Sequence, residues 1–225
     1  MRHAHGQTAA QEDAGPPPAD GSASRPRKSD LRRRELMEAG ERAFLENGFA
    51  PTTIDDITQA AGVAKGTFYL YFASKEDLLT ALRERFIEGC RKRIETLSAR
   101  LPAADWLGKL DAWVEGGIRH YLDHLELHEV LYVAGEQSHG SMAQSELVVE
   151  LAELIRAGNT AGAWRAESPE LLSLFLFYGL HGVVDHIVAS RRPDRKAVIR
   201  LSQKLVRNAL GMPAQAGGRR IVRPS

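Results

Sequence analysis

The sequence predicts an all-α protein: an N-terminal three-helix domain of helix-turn-helix type, joined by a long helix to a larger C-terminal helical domain. Three observations carry this. Apolar residues recur at three- and four-residue spacing from Leu31 to Leu210, and no stretch alternates with the period of a strand. A corner at Ala61-Gly62-Val63 separates two short periodic stretches. Caps and breakers at Ser74, Pro102, Ser168-Pro169 and Gly211 punctuate the rest.

Residues 1–26 are rich in Ala, Gly, Pro, Ser and Gln and lack large apolar side chains. Such a stretch cannot bury a core and is expected to be disordered. His3 and His5 read as incidental. Arg25, Arg27, Lys28, Arg32, Arg33 and Arg34 then form a basic run, either a solvated helix start or an arm that touches DNA. The first helix is expected over residues 31–47, stopped by Gly48. Gly40 inside it should weaken it by about 1 kcal/mol. Thr53 is the N-cap candidate of the second helix, with Asp55 and Asp56 favourable in its first turn. Ile54, Ile57, Ala60 and Ala61 make its buried face, and Gly62 supplies the left-handed residue at its end. The third helix is expected over residues 64–72. Phe68 and Phe72, at i,i+4, should anchor it, leaving Lys65, Thr67, Tyr69 and Tyr71 on the other side. Gly66 near its start would let a backbone come close to DNA, while Lys, Thr and Tyr suit phosphates and base edges.

Ser74, with Asp77 three residues on, resembles a capping box opening a helix that reaches residue 98. Further helices are expected over residues 106–122, 125–133, 141–158, 169–190 and 195–210, with a Gly- and Ala-rich turn at 159–164. Arg192-Pro193-Asp194 breaks the last pair. The division is therefore a tail (1–26), a helix-turn-helix domain (27–75), a second helical domain (76–211) and a flexible C-terminal tail (212–225).

A formal charge of +1 excludes a polybasic nucleic-acid coat, and the local basic run suits a sequence-specific reader. The single cysteine, Cys90, rules out an internal disulfide and sits in an apolar series as a small buried hydrophobe. The N-terminus shows no secretory apolar run, so a cytoplasmic location is expected. No Gly-rich phosphate loop, nucleophile elbow or paired-carboxylate motif supports an enzyme. No cofactor is called for.

Residues 33–49, Thr52-Thr53, Ile57, Ala61-Gly62-Val63, Lys65-Gly-Thr-Phe-Tyr-Leu-Tyr-Phe72 and Ser74-Lys-Glu-Asp-Leu-Leu79 closely resemble the N-terminal domain of the TetR family of transcriptional regulators. The resemblance covers about fifty residues at fixed spacing. It implies that Lys65, Gly66 and Tyr69 lie against base edges, and that Thr53, Thr67, Tyr71 and Lys75 mostly hold phosphates. It also implies a homodimer through the last two helices and a C-terminal effector-binding domain, with half-sites about 34–36 Å apart or a multiple of that.

The helix from Pro169 is apolar almost all round. Glu170, His181, Asp185 and His186 argue against a membrane span, so one side should face its own domain and the other a second subunit. Val198, Leu201, Leu205 and Leu210 offer a stripe for the same interface. Trp106, Trp113, Tyr121, Tyr132, Trp164, Phe175 and Tyr178 are either plain core or the walls of a pocket for a small apolar or aromatic effector. Polar candidates there are His120, His181, Asp185, His186, Gln137 and Glu136. His120, His124 and His128 have the i,i+4,i+8 spacing of metal ligands on one helix face, but the resemblance puts a helix break near His124, and no metal is assigned. His181 and Asp185 are expected to pair at the dimer seam. The function expected is a ligand-responsive dimeric repressor on a palindromic operator; the alternative is a constitutive DNA-binding protein or an activator without a ligand.

Overall fold

The computed structural model describes residues 28–132, 146–189 and 194–211. The two tails, Glu136, Gln137 and the break at Arg192-Pro193 lie outside these residues. Nine helices occur among those described: α1 Lys28–Asn47, α2 Ile54–Ala60, α3 Lys65–Tyr69, α4 Lys75–Ser98, α5 Trp106–Asp123, α6 Leu125–Tyr132, α7 Glu146–Thr160, α8 Pro169–Ala189 and α9 Arg195–Ala209. No strand is found among the described residues.

Two apolar cores organise them. The first gathers Leu36 and Phe44 of α1, Ile57 of α2, Phe68 of α3, Leu78 and Leu82 of α4, and Leu131 of α6. The second is built by α4, α5, α7, α8 and α9 around Ile94, Leu110, Ile118, Leu151 and Ile155. The N-terminal core therefore runs past residue 75 into two turns of α4 and recruits α6 from the C-terminal half. Helix α4 belongs to both cores. Ion pairs brace it on each side: Arg85 to Glu41 of α1, and Arg93 to Asp123 at the end of α5, 2.5 Å away.

Local chemistry accounts for the helix ends. Thr53 and Asp56 form the full capping box of α2: the Thr53 hydroxyl accepts from the Asp56 amide (3.2 Å), and the Asp56 carboxylate accepts from the Thr53 amide (2.8 Å). Ser74 caps α4 through the Asp77 amide, and Asp77 in turn accepts from the Ala73 amide. Gly62 has φ +64°, the left-handed conformation its position requires.

Three boundaries differ from expectation. Helix α1 begins at Lys28, so Arg32, Arg33 and Arg34 ride on a helix rather than an extended arm. Helix α3 ends at Tyr69; the Tyr71 and Phe72 amides both donate to the Phe68 carbonyl as the chain turns out. Helix α7 continues through Gly158 to Thr160. A Cβ on Gly158 would lie 2.0 Å from the Trp164 ring, whose Nε1 donates to the Ile155 carbonyl, so the glycine makes room rather than ending the helix. Gly40 likewise sits where a Cβ would come 2.5 Å from Leu78, so its cost in helix propensity accompanies a close α1–α4 crossing.

Candidate nucleic-acid interface and internal cavity

Helix α3 is anchored from behind and open in front. Phe68 and Phe72 are buried with their ring centroids 5.6 Å apart. On the other side Lys65 and Gly66 are exposed, Tyr69 is 52% exposed and Leu70 79% exposed. Thr67 and Tyr71 are half-buried, Tyr71 leaning on the N-terminal core. A Cβ on Gly66 would meet nothing within 4 Å, so the fold itself does not require glycine there. Leu70 is the exposed side chain of this face that residue-type reasoning passed over, because no polar chemistry marked it.

Two lysines differ in their surroundings. The Lys65 ammonium pairs with Asp55 of α2 across solvent at 3.0 Å, and that hydrogen bond holds its pKa above the ordinary lysine value. Lys75 instead donates to three loop carbonyls, Phe49 (2.8 Å), Ala50 (3.0 Å) and Thr52 (2.8 Å), and lies 4.5 Å from the Phe49 ring centroid. An ammonium has three donors, and here all three fix the α1–α2 loop. Buried Thr52, whose hydroxyl donates to the Gly48 carbonyl at 2.6 Å, completes that loop. Of the basic run, Arg32 pairs with Glu35, Arg33 stacks over Phe72 and Arg34 is exposed.

The second site is a cavity of about 90 Å³ in the C-terminal half. Helix α4 walls it with Arg83, Phe86, Ile87, Cys90 and Ile94, and α5 with Trp113, Val114, Ile118, His120 and Tyr121. Helix α6 adds His128 and Tyr132; α8 adds Phe177, Leu180, His181 and Val184. Of the aromatic residues singled out in the sequence, Trp113, Tyr121 and Tyr132 line it. The other four do not: Trp164 is used in packing Gly158, Phe175 is 70% exposed, Lys109 lies over the Trp106 ring, and Tyr178 lies outside the wall. Phe175 and Phe177 are two residues apart and so face opposite sides of α8, which composition cannot distinguish.

The wall carries few polar atoms, and several lack a protein partner: Trp113 Nε1, His120 Nε2 and both ring nitrogens of His128. Burial, then the neighbouring His181, pushes His128 down to about 3; burial, then His124, pushes His120 down to about 4. Both imidazoles are neutral at neutral pH. The Cys90 thiol is pushed up to about 12, chiefly by burial, and is inert. Asp185 accepts a short hydrogen bond from the Tyr121 hydroxyl, whereas His181 Nδ1 contacts the Phe177 carbonyl at 2.8 Å. The expected His181–Asp185 pair is therefore replaced by a Tyr121–Asp185 pair, and His181 faces the cavity. Helix α5 stops at Asp123 with His124 as its C-cap, so the three histidines do not form one helical stripe. Among the described residues no cluster of three or more ligating side chains could hold a metal.

Together these features define a helix-turn-helix protein with a separate helical domain that encloses a cavity. Residues 36–82 match the family model described as "Bacterial regulatory proteins, tetR family". The chain is 43% identical over 56 residues to the HTH-type transcriptional regulator TtgR of Pseudomonas putida, an alignment covering 25% of this chain and 27% of that protein. It is 33% identical over 88 residues to the HTH-type transcriptional regulator YfiR of Bacillus subtilis, covering 39% and 43% of the two chains. These alignments span less than half of the relatives' lengths. The fold match is longer. A fatty acid degradation regulator FadR from Bacillus halodurans aligns with TM-score 0.62 at 24% identity, over 78% of this chain and 94% of that one. A TetR-family structure from Mesorhizobium loti aligns with TM-score 0.63 at 20% identity, over 82% and 97%. The N-terminal segment is therefore a TetR-family helix-turn-helix domain, and the chain as a whole shares the fold of the TetR-family structures.

Proposed function

We propose that the protein is a homodimeric, ligand-released repressor of the bacterial cytoplasm that binds a palindromic operator through α2 and α3. The observation that carries this is the sharing of α4 and α6 between the two sites. Leu78, Leu82 and Leu131 support the reading domain, while Phe86, Cys90, His128 and Tyr132 of the same two helices wall the cavity. The Arg83 Nε–H donates to the Leu131 carbonyl at 2.7 Å and ties the two helices together. A small apolar or aromatic molecule that displaces α6 or the middle of α4 must also displace the reader. The effector would then favour a dimer whose readers miss the operator spacing, with a coupling of about 1–3 kcal/mol.

Lys65, Gly66 and Tyr69 are assigned to base edges, Thr53, Thr67 and Tyr71 to phosphates. The vacant surroundings of Gly66 and the exposure of Lys65 and Tyr69 support this. Lys75 is assigned to phosphate only by family likeness, since its donors are occupied within the loop. The dimer face is assigned to the outer side of α8 and α9, where Leu171, Phe175, Leu201 and Leu205 are 47–70% exposed. Helix α8 is long and apolar enough to cross a membrane by length and composition, but the exposed Asp185 and His186 near its end favour a second subunit over lipid.

The test is a fluorescence-anisotropy titration of inverted repeats from the protein's own locus. Wild type should bind one tightly. Lys65→Ala should weaken binding and lower the salt dependence by about one charge, and Tyr69→Ala should change the sequence preference. Wild-type affinity in both variants would refute the assignment of the reading helix.

A further inference from the structure

We propose that the cavity takes a compact apolar molecule with one polar end that both donates and accepts a hydrogen bond (an alcohol, a phenol or a carboxylic acid), seated at His120 and His128. This rests on the effector reading above and adds the chemistry of the ligand.

The argument begins with the unpartnered nitrogens. His128 is 5% exposed, His120 6% and Trp113 6%, and each carries at least one buried ring nitrogen with no protein partner. A neutral imidazole offers one N–H donor and one bare nitrogen acceptor. Either His128 nitrogen can meet a hydroxyl, which accepts from the N–H or donates to the bare nitrogen as the tautomer requires and can bond His120 Nε2 with its remaining capacity; a hydrocarbon does neither. The ring cannot readily turn away. Tyr121 lies 4.0 Å from it and Tyr132 4.8 Å, centroid to centroid. Phe86 packs against both histidines, 4.5 Å from His120 and 5.7 Å from His128, so both imidazoles border one part of the wall.

Charge and size narrow the class. Among the described residues no carboxylate lines the cavity, Asp185 lies behind the wall on the Tyr121 hydroxyl, and Arg83 is the charged lining residue. A cationic ligand would find no counter-charge among these residues and would face Arg83. The volume of about 90 Å³ exceeds the roughly 10–15 Å³ that one water needs, and it suits a small ring better than a long chain. Ile94, Val114, Phe177 and Val184 bury the apolar body.

The experiment is calorimetric titration of the full chain with three matched probes: ethylbenzene, 4-ethylphenol and 4-ethylbenzylamine. Wild type should bind 4-ethylphenol at least about tenfold more tightly than ethylbenzene and should not bind the amine. In His128→Leu, and separately in His120→Leu, the phenol's advantage should shrink while ethylbenzene binding persists, which also shows that the variant's cavity is intact. Equal binding of phenol and ethylbenzene, an undiminished advantage in both variants, or binding of none of the probes overturns the proposal. Operator anisotropy with the same probes separates the two readings. If ethylbenzene releases DNA as well as the phenol does, the polar-end proposal fails and the effector reading stands. If the phenol binds through His128 and leaves operator affinity unchanged, the effector reading fails and the ligand chemistry stands.

Discussion

Lys65 and Lys75 carry the same charge ten residues apart, yet their partners separate them. Lys65 reaches only a solvent-exposed carboxylate, and such pairs release their cation easily. Lys75 closes a loop through three carbonyls. Lys75→Met should therefore lower stability by about 1–2 kcal/mol in chemical denaturation and leave the salt dependence of operator binding unchanged. A salt slope reduced by about one charge would mean that Lys75 leaves the loop for a phosphate. The motif marked Lys75 as a phosphate candidate but did not reveal these partners, which depend on the course of residues 48–52. The buried histidines give a second prediction. An unfolded imidazole titrates near ~6.5, whereas folded His128 and His120 lie at about 3 and about 4. Below about pH 6.5 the unfolded chain takes up protons that the folded chain refuses. Stability should hold above that pH and fall as pH drops toward the folded values, by about 1.4 kcal/mol per pH unit for each histidine. His128→Leu should flatten the melting profile between pH 7 and 5 by one proton's share. Identical slopes in the two proteins would contradict a buried neutral His128.

Among the elements, those marked by caps were legible and those shaped by packing were not. Thr53, Gly62 and Ser74 announced α2, the turn and α4, because each acts within one turn of itself. The break between α5 and α6 at His124 was anticipated from family likeness. The extent of α7 was misread because glycine signals a helix end and also close packing; only the position of Trp164 decides between the two. Gly158→Ala should cost about 1–3 kcal/mol by driving a Cβ into the Trp164 ring, despite a gain of about 1 kcal/mol in helix propensity. Gly117→Ala, in α5 where a Cβ meets nothing within 4 Å, should instead be neutral or stabilising. Equilibrium denaturation of both variants checks the contrast. The expected stripe on α9 also divided: Val198 and Leu210 are buried in their own subunit, while Leu201 and Leu205 remain outside with Ile199 and Val206 turned inward.

At the level of the whole molecule, the all-helical, two-part architecture was legible because period, caps and motif agreed. The cavity was not: which aromatic side chains point inward depends on how α4, α5, α6 and α8 meet. The apolar outer face of α8 and α9 predicts a two-fold association. Phe175→Asp combined with Leu205→Asp should give a monomer in sedimentation, keep its helical content, and lose operator binding at concentrations where wild type is saturated. A double variant that remains dimeric would move the interface elsewhere. The shared α4 also bears on engineering. A hybrid regulator spliced at residue 75 would strip the DNA-reading helices of Leu78 and Leu82, on which they rest, and of the floor that Leu131 provides. Exchanging operator specificity between relatives therefore calls for transplanting α1 to α4 as one block, with α6 matched to it.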